Sequence, residues 1–133
     1  MNARERFATA RVARLATTGP DGPHVVPIVF AVVGDTLFHA IDHKPKRTHA
    51  LKRLANLRAD PRASVLADAY DEDWERLWWA RADGTASILA PGHAEALALL
   101  AERYPQYRDT PPDGPVIAIA VTRWSSWSAR GDD

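Results

Sequence analysis

Turn signals recur along this chain at short intervals, and they constrain its fold more than any other feature. Gly19-Pro20-Asp21-Gly22-Pro23, Gly34-Asp35, Asp83-Gly84 and Asp113-Gly114-Pro115 interrupt runs rich in Val, Ile, Thr and Ala. Short connections of this kind suit antiparallel neighbours, because parallel strands need a long crossover. The pattern therefore predicts an antiparallel sheet or barrel, with strands near residues 12–18, 24–33, 36–42, 62–69, 78–82, 85–89 and 116–124. Gly34-Asp35 and Asp83-Gly84 read as two-residue hairpin turns.

The stretch His24–Val33, HVVPIVFAVV, is almost continuously apolar, which predicts a strand covered on both faces. In a barrel one face can look inward and the other into a partner subunit. Pro27 cannot donate a ladder hydrogen bond, so it marks an edge, a bulge, or a place where a ligand lies against the backbone. Three stretches carry helical signals: 2–8, 48–58 and 93–103. In the second, Leu51, Leu54, Ala55 and Arg58 are expected on one side, with Lys52, Arg53 and Asn56 largely on the other. Pro105 follows the third helix, and the segment from Tyr104, YPQYRDTPPDGP, reads as an irregular loop.

With 133 residues, 46% of them apolar and 26% charged, the chain is expected to be one globular domain over residues 1–133. It has no run of 18 apolar residues, and its start, MNARERFATARVARLA, lacks the apolar segment of a signal peptide, so a cytoplasmic protein without a membrane role is expected. There is no cysteine, which excludes disulfides, thiolate catalysis and Cys-held zinc or iron–sulfur clusters.

Charge is concentrated in one place. From His43 to Arg62 seven Lys/Arg face one Asp, a local balance of +6 in a chain of zero net charge. A nucleic-acid binder is usually basic over the whole domain, so a local patch points to a discrete small anion and away from nucleic acid. Thr48 is a candidate N-cap for the second helix, which gathers Lys44, Lys46 and Arg47 just before a helix N-terminus. Cations there are mildly unfavourable, and a bound phosphate would reverse the sign, with the helix amides, the Arg fork and the mobile Lys charges all available to it. The alternative is a solvated loop that serves only solubility.

Five tryptophans, Trp74, Trp78, Trp79, Trp124 and Trp127, are many for this length. TRWSSWSAR sets two of them beside Arg123 and Arg130, a composition suited to the edge of a flat aromatic ligand, though tryptophan also fills cores and subunit interfaces. Other signals fail. DAYDEDWE, from Asp68, holds five acids without the glycine and spacing of a calcium loop. The five histidines lack HExxH or His-x-Glu spacing, and neither GxSxG, a Walker loop nor GxGxxG occurs, so no metal site is expected and hydrolase, P-loop and Rossmann readings are weak.

RVARLATTGPDGPHVVPIVF from Arg11, HKPKRTHALKRLANLRADPRASVLAD from His43, WWARADGTASIL from Trp78 and VTRWSSWSA from Val121 together resemble the pyridoxamine-phosphate-oxidase-like flavin/deazaflavin split-barrel family, and within it the actinobacterial branch described as F-420-dependent. The resemblance runs from about Arg6 to Ala129. It implies a mainly β, FMN-binding-like fold: a six-stranded antiparallel split β-barrel with peripheral helices, forming a homodimer with two cofactor sites at the subunit interface. By similarity, Lys44, Lys46, Arg47 and Thr48 correspond to the loop that holds the cofactor phosphate, with Lys52 and Arg53 reaching beyond it. Val26, Pro27 and Ile28 match the strand whose backbone lies near the ring, Thr17 is on its neighbour, and Trp124 and Trp127 fall near the C-terminal aromatic position.

The implied activity is hydride transfer from the reduced deazaflavin coenzyme F-420 to a small organic substrate, with the cofactor supplying the redox chemistry and the chain supplying binding and orientation. Tyr70, Tyr104 and a bound water are candidate proton donors. An FMN-dependent oxidase or reductase is the nearest alternative, and a non-catalytic flavin or heme carrier is the alternative of another class.

Overall fold

The computed structural model describes residues 1–42 and 47–131, with residues 47–51 through their backbone alone. The elements are α1 (Ala3–Thr9), β1 (Ala13–Gly19), β2 (Gly22–Ile28), β3 (Ala31–Val33), β4 (Thr36–Ala40), α2 (Arg47–Ala59), β5 (Arg62–Ala69), a 3₁₀ turn (Trp74–Arg76), β6 (Trp78–Leu89), α3 (Ala94–Arg103), α4 (Gln106–Asp109) and β7 (Val116–Ser128). The seven strands form one antiparallel sheet in the order β2-β1-β5-β6-β7-β4-β3. Its two edges, β2 and β3, are consecutive in the chain and separated only by Val29 and Phe30. Two edges joined by two residues force the sheet to curl back on itself, which makes the barrel, while the lack of pairing between them leaves it split.

Three expectations change here. Residues 24–33 are two strands, not one, with the barrel corner at Val29-Phe30, while 78–82 and 85–89 join into one, so the sheet has the seven strands of the sequence pattern where the resemblance implies six. Asp83-Gly84 is not a hairpin turn, because β6 runs unbroken through it; the register against β7 shifts there from Asp83↔Arg123 to Gly84↔Val121, so Thr122 is an extra residue in β7. A bulge and a turn ask for the same glycine, and local sequence cannot separate them. Part of the loop after Tyr104 is helical, as α4. Gly34, at φ +57°, does form the expected turn between β3 and β4.

The barrel interior is filled by Leu15, Val26, Ile28, Phe30, Leu37, Val65, Ile117 and Ile119, with Leu54 and Leu57 of α2 added from one side. Asn2 caps α1 through a capping box with Glu5, and the helix delivers Phe7 edge-on to Phe30 and to Trp124, both at 5.7 Å between centroids. A second cluster lies outside the barrel, where Ala96, Leu100 and Tyr104 of the α3 region cover Ala31, Phe38, Ala40 and Val116. Fully burying such a side chain contributes roughly 1.5–3 kcal/mol. In β3, Ala31 and Val32 pack on opposite faces as expected while Val33 is exposed, and in β2 Val25 and Pro27 are exposed in the single chain. No helix among the described residues is long and apolar enough to cross a membrane.

Candidate functional site

α2 is held to the barrel by apolar and polar contacts together. Leu54 and Leu57 enter the core, and between them Asn56 is buried and donates from Nδ2 to Thr17 Oγ1 of β1 at 3.2 Å. Gly19 makes room for that amide, since a Cβ there would lie 2.0 Å from Asn56 Oδ1. Lys52 Nζ reaches Asp21 Oδ2 in the β1–β2 turn at 3.4 Å. Arg53 Nη1 donates to His39 Nε2 of β4, and His39 Nδ1 lies 3.0 Å from the carbonyl oxygen of Val29.

The inward face of α2 therefore carries Arg53, Leu54, Asn56 and Leu57, while Ala55 and Arg58 are exposed. This corrects the expected division of the helix. Its polar members turn inward because each finds a partner that the sequence pattern does not reveal. α2 also begins at Arg47, so Thr48 lies within the first turn and is not the N-cap.

These contacts set the electrostatics. Burial, and next the Arg53 charge, lower the His39 pKa to about 3, so the imidazole is neutral. Burial lowers the Arg53 pKa as well, opposed by the charge of Asp42. Arg53 Nε is buried with no hydrogen-bond partner among the described residues. Tyr107 donates to Asp42 Oδ2 at 3.4 Å, and its hydroxyl is pushed up to about 12 by burial and by that carboxylate.

β2 is a free edge, paired to β1 alone, which resolves Pro27 as an edge proline. Pro27 faces outward opposite Arg14, whereas Val26 and Ile28 point into the core and can offer a ligand only backbone. Thr17, opposite His24, is buried under α2 with its hydroxyl bonded to Asn56. Lys44 and Lys46 lie outside the described residues, as do the side chains of Arg47 and Thr48. Lys52 is exposed near the β1–β2 turn.

Trp124 and Trp127 are not brought together. Trp124 Nε1 donates to Asp35 Oδ1 at 2.9 Å, with the Arg4 guanidinium 5.3 Å above its ring, while Trp127, 47% exposed, pairs with Trp79 on the outer face. A cleft of about 510 Å³ lies by the 3₁₀ turn, lined by Arg6, Tyr70, Asp71, Trp78 and Arg130 among others. It holds Tyr70 but none of the residues expected to contact a cofactor. His39 and Asn56 were missed as parts of this region. The available signals were a histidine sharing the Leu37 face of an apolar strand and an amide inside an apolar helix stripe.

The profile of the pyridoxamine 5'-phosphate oxidase family matches residues 2–128. No curated protein matches the chain. Among solved structures, a conserved hypothetical protein of Mycobacterium tuberculosis, Rv2991, is 27% identical with a TM-score of 0.72, over 98% of this chain and 87% of that one. An FAD-binding protein of Mesorhizobium loti is 21% identical with a TM-score of 0.72, over 92% and 87% of the two chains. HutZ, a heme storage protein of Vibrio cholerae, is 17% identical with a TM-score of 0.69, over 96% and 95%. A split barrel open between β2 and β3, matched by one family profile over nearly all its length, places the chain in the pyridoxamine 5'-phosphate oxidase family.

Proposed function

We propose that this chain is an oxidoreductase that binds a phosphorylated flavin-type cofactor, with the deazaflavin coenzyme F-420 as its ligand and FMN as the alternative, and acts on a small organic substrate. The observation that carries this reading is a free edge strand at Pro27 in the same barrel as helix α2, which is tethered to β1, its turn and β4 and opens at Arg47 directly behind Lys44 and Lys46. The fit is supported by a donor in want of an acceptor: Arg53 Nε is buried on α2 without a partner among the described residues. An anion near the start of α2 would meet Lys44, Lys46, Arg47, Thr48 and Lys52, together with free helix amides. A flat ring would lie on the backbone of Val26, Pro27 and Ile28, with Thr17 holding α2 in place from beneath. When bound, the ring system supplies the hydride chemistry, and the chain supplies binding, orientation and exclusion of water.

We propose a homodimer formed through the outer face of the sheet. There Pro27, Arg14, Leu66, Arg81 and Ser125 form one row, and Val25, Ala16, Ser64, Asp83 and Arg123 the next. Apolar side chains mixed with both signs of charge suit an isologous contact with a second copy. Trp127 on that face would be offered to the partner's site, whereas Trp124 is occupied with Asp35 and Phe7.

The likeness to a heme storage protein favours a second reading, heme binding without turnover. His39 has no part in it, because both ring nitrogens are engaged.

The test is to purify the protein from a host lacking the deazaflavin and to titrate it with F-420, FMN and heme. The Lys46→Ala and Arg47→Ala variants should each weaken the preferred flavin-type ligand roughly tenfold or more, the loss expected of one charge-assisted bond. Unchanged affinity would remove the anchor. Oxidation of the reduced cofactor by enones, quinones or nitroaromatics separates an enzyme from a carrier.

A further inference from the structure

The two halves of the proposed site are joined by one buried polar line. Val29, whose carbonyl oxygen lies 3.0 Å from His39 Nδ1, directly follows the Pro27-Ile28 end of β2. Arg53, which donates to His39 Nε2, directly follows Lys52 on α2. A carbonyl oxygen only accepts and a guanidinium only donates, so the imidazole carries its proton on Nδ1 and its lone pair on Nε2. A neutral ring of one tautomer thus bridges the edge strand and the helix as a rigid spacer. Among the described residues, the other polar tethers of α2, Asn56 to Thr17 and Lys52 to Asp21, reach β1 and its turn, not the corner that follows Pro27.

We propose that His39 is a positioning residue: through Val29 and Arg53 it sets the distance between the ring strand β2 and the anion-holding start of α2, so that a phosphorylated cofactor is gripped at both ends at once. The inference rests on the reading above of α2 and β2 as the cofactor site. A ligand held at two points gains affinity at the second only if the spacing matches, and slack spacing lowers the effective concentration of the second contact. His39 is buried on the strand face that looks inward and makes its two bonds to protein, so it acts through its neighbours.

The experiment compares each phosphorylated ligand with its phosphate-free form, FMN with riboflavin and F-420 with its deazariboflavin core. Dissociation constants and thermal midpoints are measured for the wild type, His39→Leu and His39→Asn. We expect the advantage of the phosphorylated ligand to fall about tenfold in both variants while the phosphate-free ligand changes less than about twofold, since the ring contacts remain and only their spacing to the anion site is lost. A purely structural role would lower the midpoint and weaken both ligands alike, and that result overturns the inference. Should His39→Leu not fold, His39→Asn, whose shorter amide can still donate to Val29 O but does not span to Arg53, decides with the same readout. A wild type that prefers the phosphorylated ligand, with variants that keep the preference, removes the role of His39 and leaves the cofactor site standing. A wild type without any preference removes both.

Discussion

The hydroxyl of Tyr104 accepts a hydrogen bond from the backbone nitrogen of Phe30 at 3.1 Å and sits 3.0 Å from the carbonyl oxygens of both Phe30 and Arg11. Phe30 is the corner at which the chain passes from one edge of the sheet to the other, so a side chain from beyond α3 pins the joint of the barrel. Arg103 adds to the clamp, donating to Phe30 O at 3.1 Å with its guanidinium 4.7 Å from the Phe30 ring centroid. The single phenolic proton is taken by backbone carbonyls, which leaves Tyr104 without one to give a substrate. Tyr104→Phe should lower stability by about 1–3 kcal/mol, the usual consequence of leaving buried polar groups unpaired. Calorimetry should show a midpoint lower by several degrees, and cofactor affinity should stay within about twofold.

His39 makes stability depend on pH. Its ordinary value is 6.5 and its value in the fold is about 3, with burial the larger cause and the Arg53 charge the next. Between these values the unfolded chain binds a proton that the folded chain refuses. The contribution is therefore complete above pH 6.5 and is lost progressively as pH falls toward 3, by at most about 1.4 kcal/mol per pH unit. Val29 O and Asp42 favour protonation but are outweighed. Urea midpoints measured from pH 7 to pH 4 should fall steeply, and in His39→Leu the slope should flatten. Equal slopes for the two proteins would show that another group governs acid unfolding.

Gly84 marks the bulge that the sequence presents as a turn. A Cβ there would lie 2.2 Å from the carbonyl oxygen of Ala120 and 3.0 Å from Ile119 Cγ2, and the backbone oxygen cannot swing aside. Gly84→Ala should destabilise by about 1–3 kcal/mol through overpacking. A thermal midpoint unchanged from the wild type would mean that β6 and β7 are less closely apposed than 2.2 Å implies.

What was legible before the structure follows physical range. Local signals placed β5 at its observed bounds and the three main helices within a residue or two, because alternation and capping act between near neighbours. The break at Val29-Phe30 was not legible, since it is imposed by Tyr104, 74 residues away. Nor was the inward face of α2: Asn56 and Arg53 read as solvent residues by type, and only Thr17 and His39, on strands distant in sequence, turn them inward. Charge density did single out the segment from Lys44 to Lys52, but density alone carries no geometry. The assignment of Val26, Pro27 and Ile28 to a ring strand rests on the resemblance alone, whereas sheet order explains Pro27 as an edge residue.

Leu66 tests the dimer. It sits at the centre of the outer row, between Arg14 of β1 and Arg81 of β6, and is 37% exposed, while Val25 in the next row is 61% exposed. Arg81 is already bonded to Asp83, at 3.0 Å, and Arg14 faces Asp68 at 3.8 Å, so the charges near Leu66 are balanced within the chain and an apolar contact across a two-fold axis would not leave them unpaired. A carboxylate at this position would be buried against its own copy, where it competes with Asp68 and Asp83 for arginines they already hold, at a penalty of several kcal/mol. Leu66→Asp should therefore convert a wild-type dimer to a monomer in sedimentation equilibrium. The thermal midpoint should fall as subunit linkage is lost, and cofactor affinity should drop with it, because the proposed sites draw on both copies. A wild type that sediments as a monomer at micromolar concentration, or a Leu66→Asp variant that remains a dimer with full affinity, would remove this face as the subunit contact.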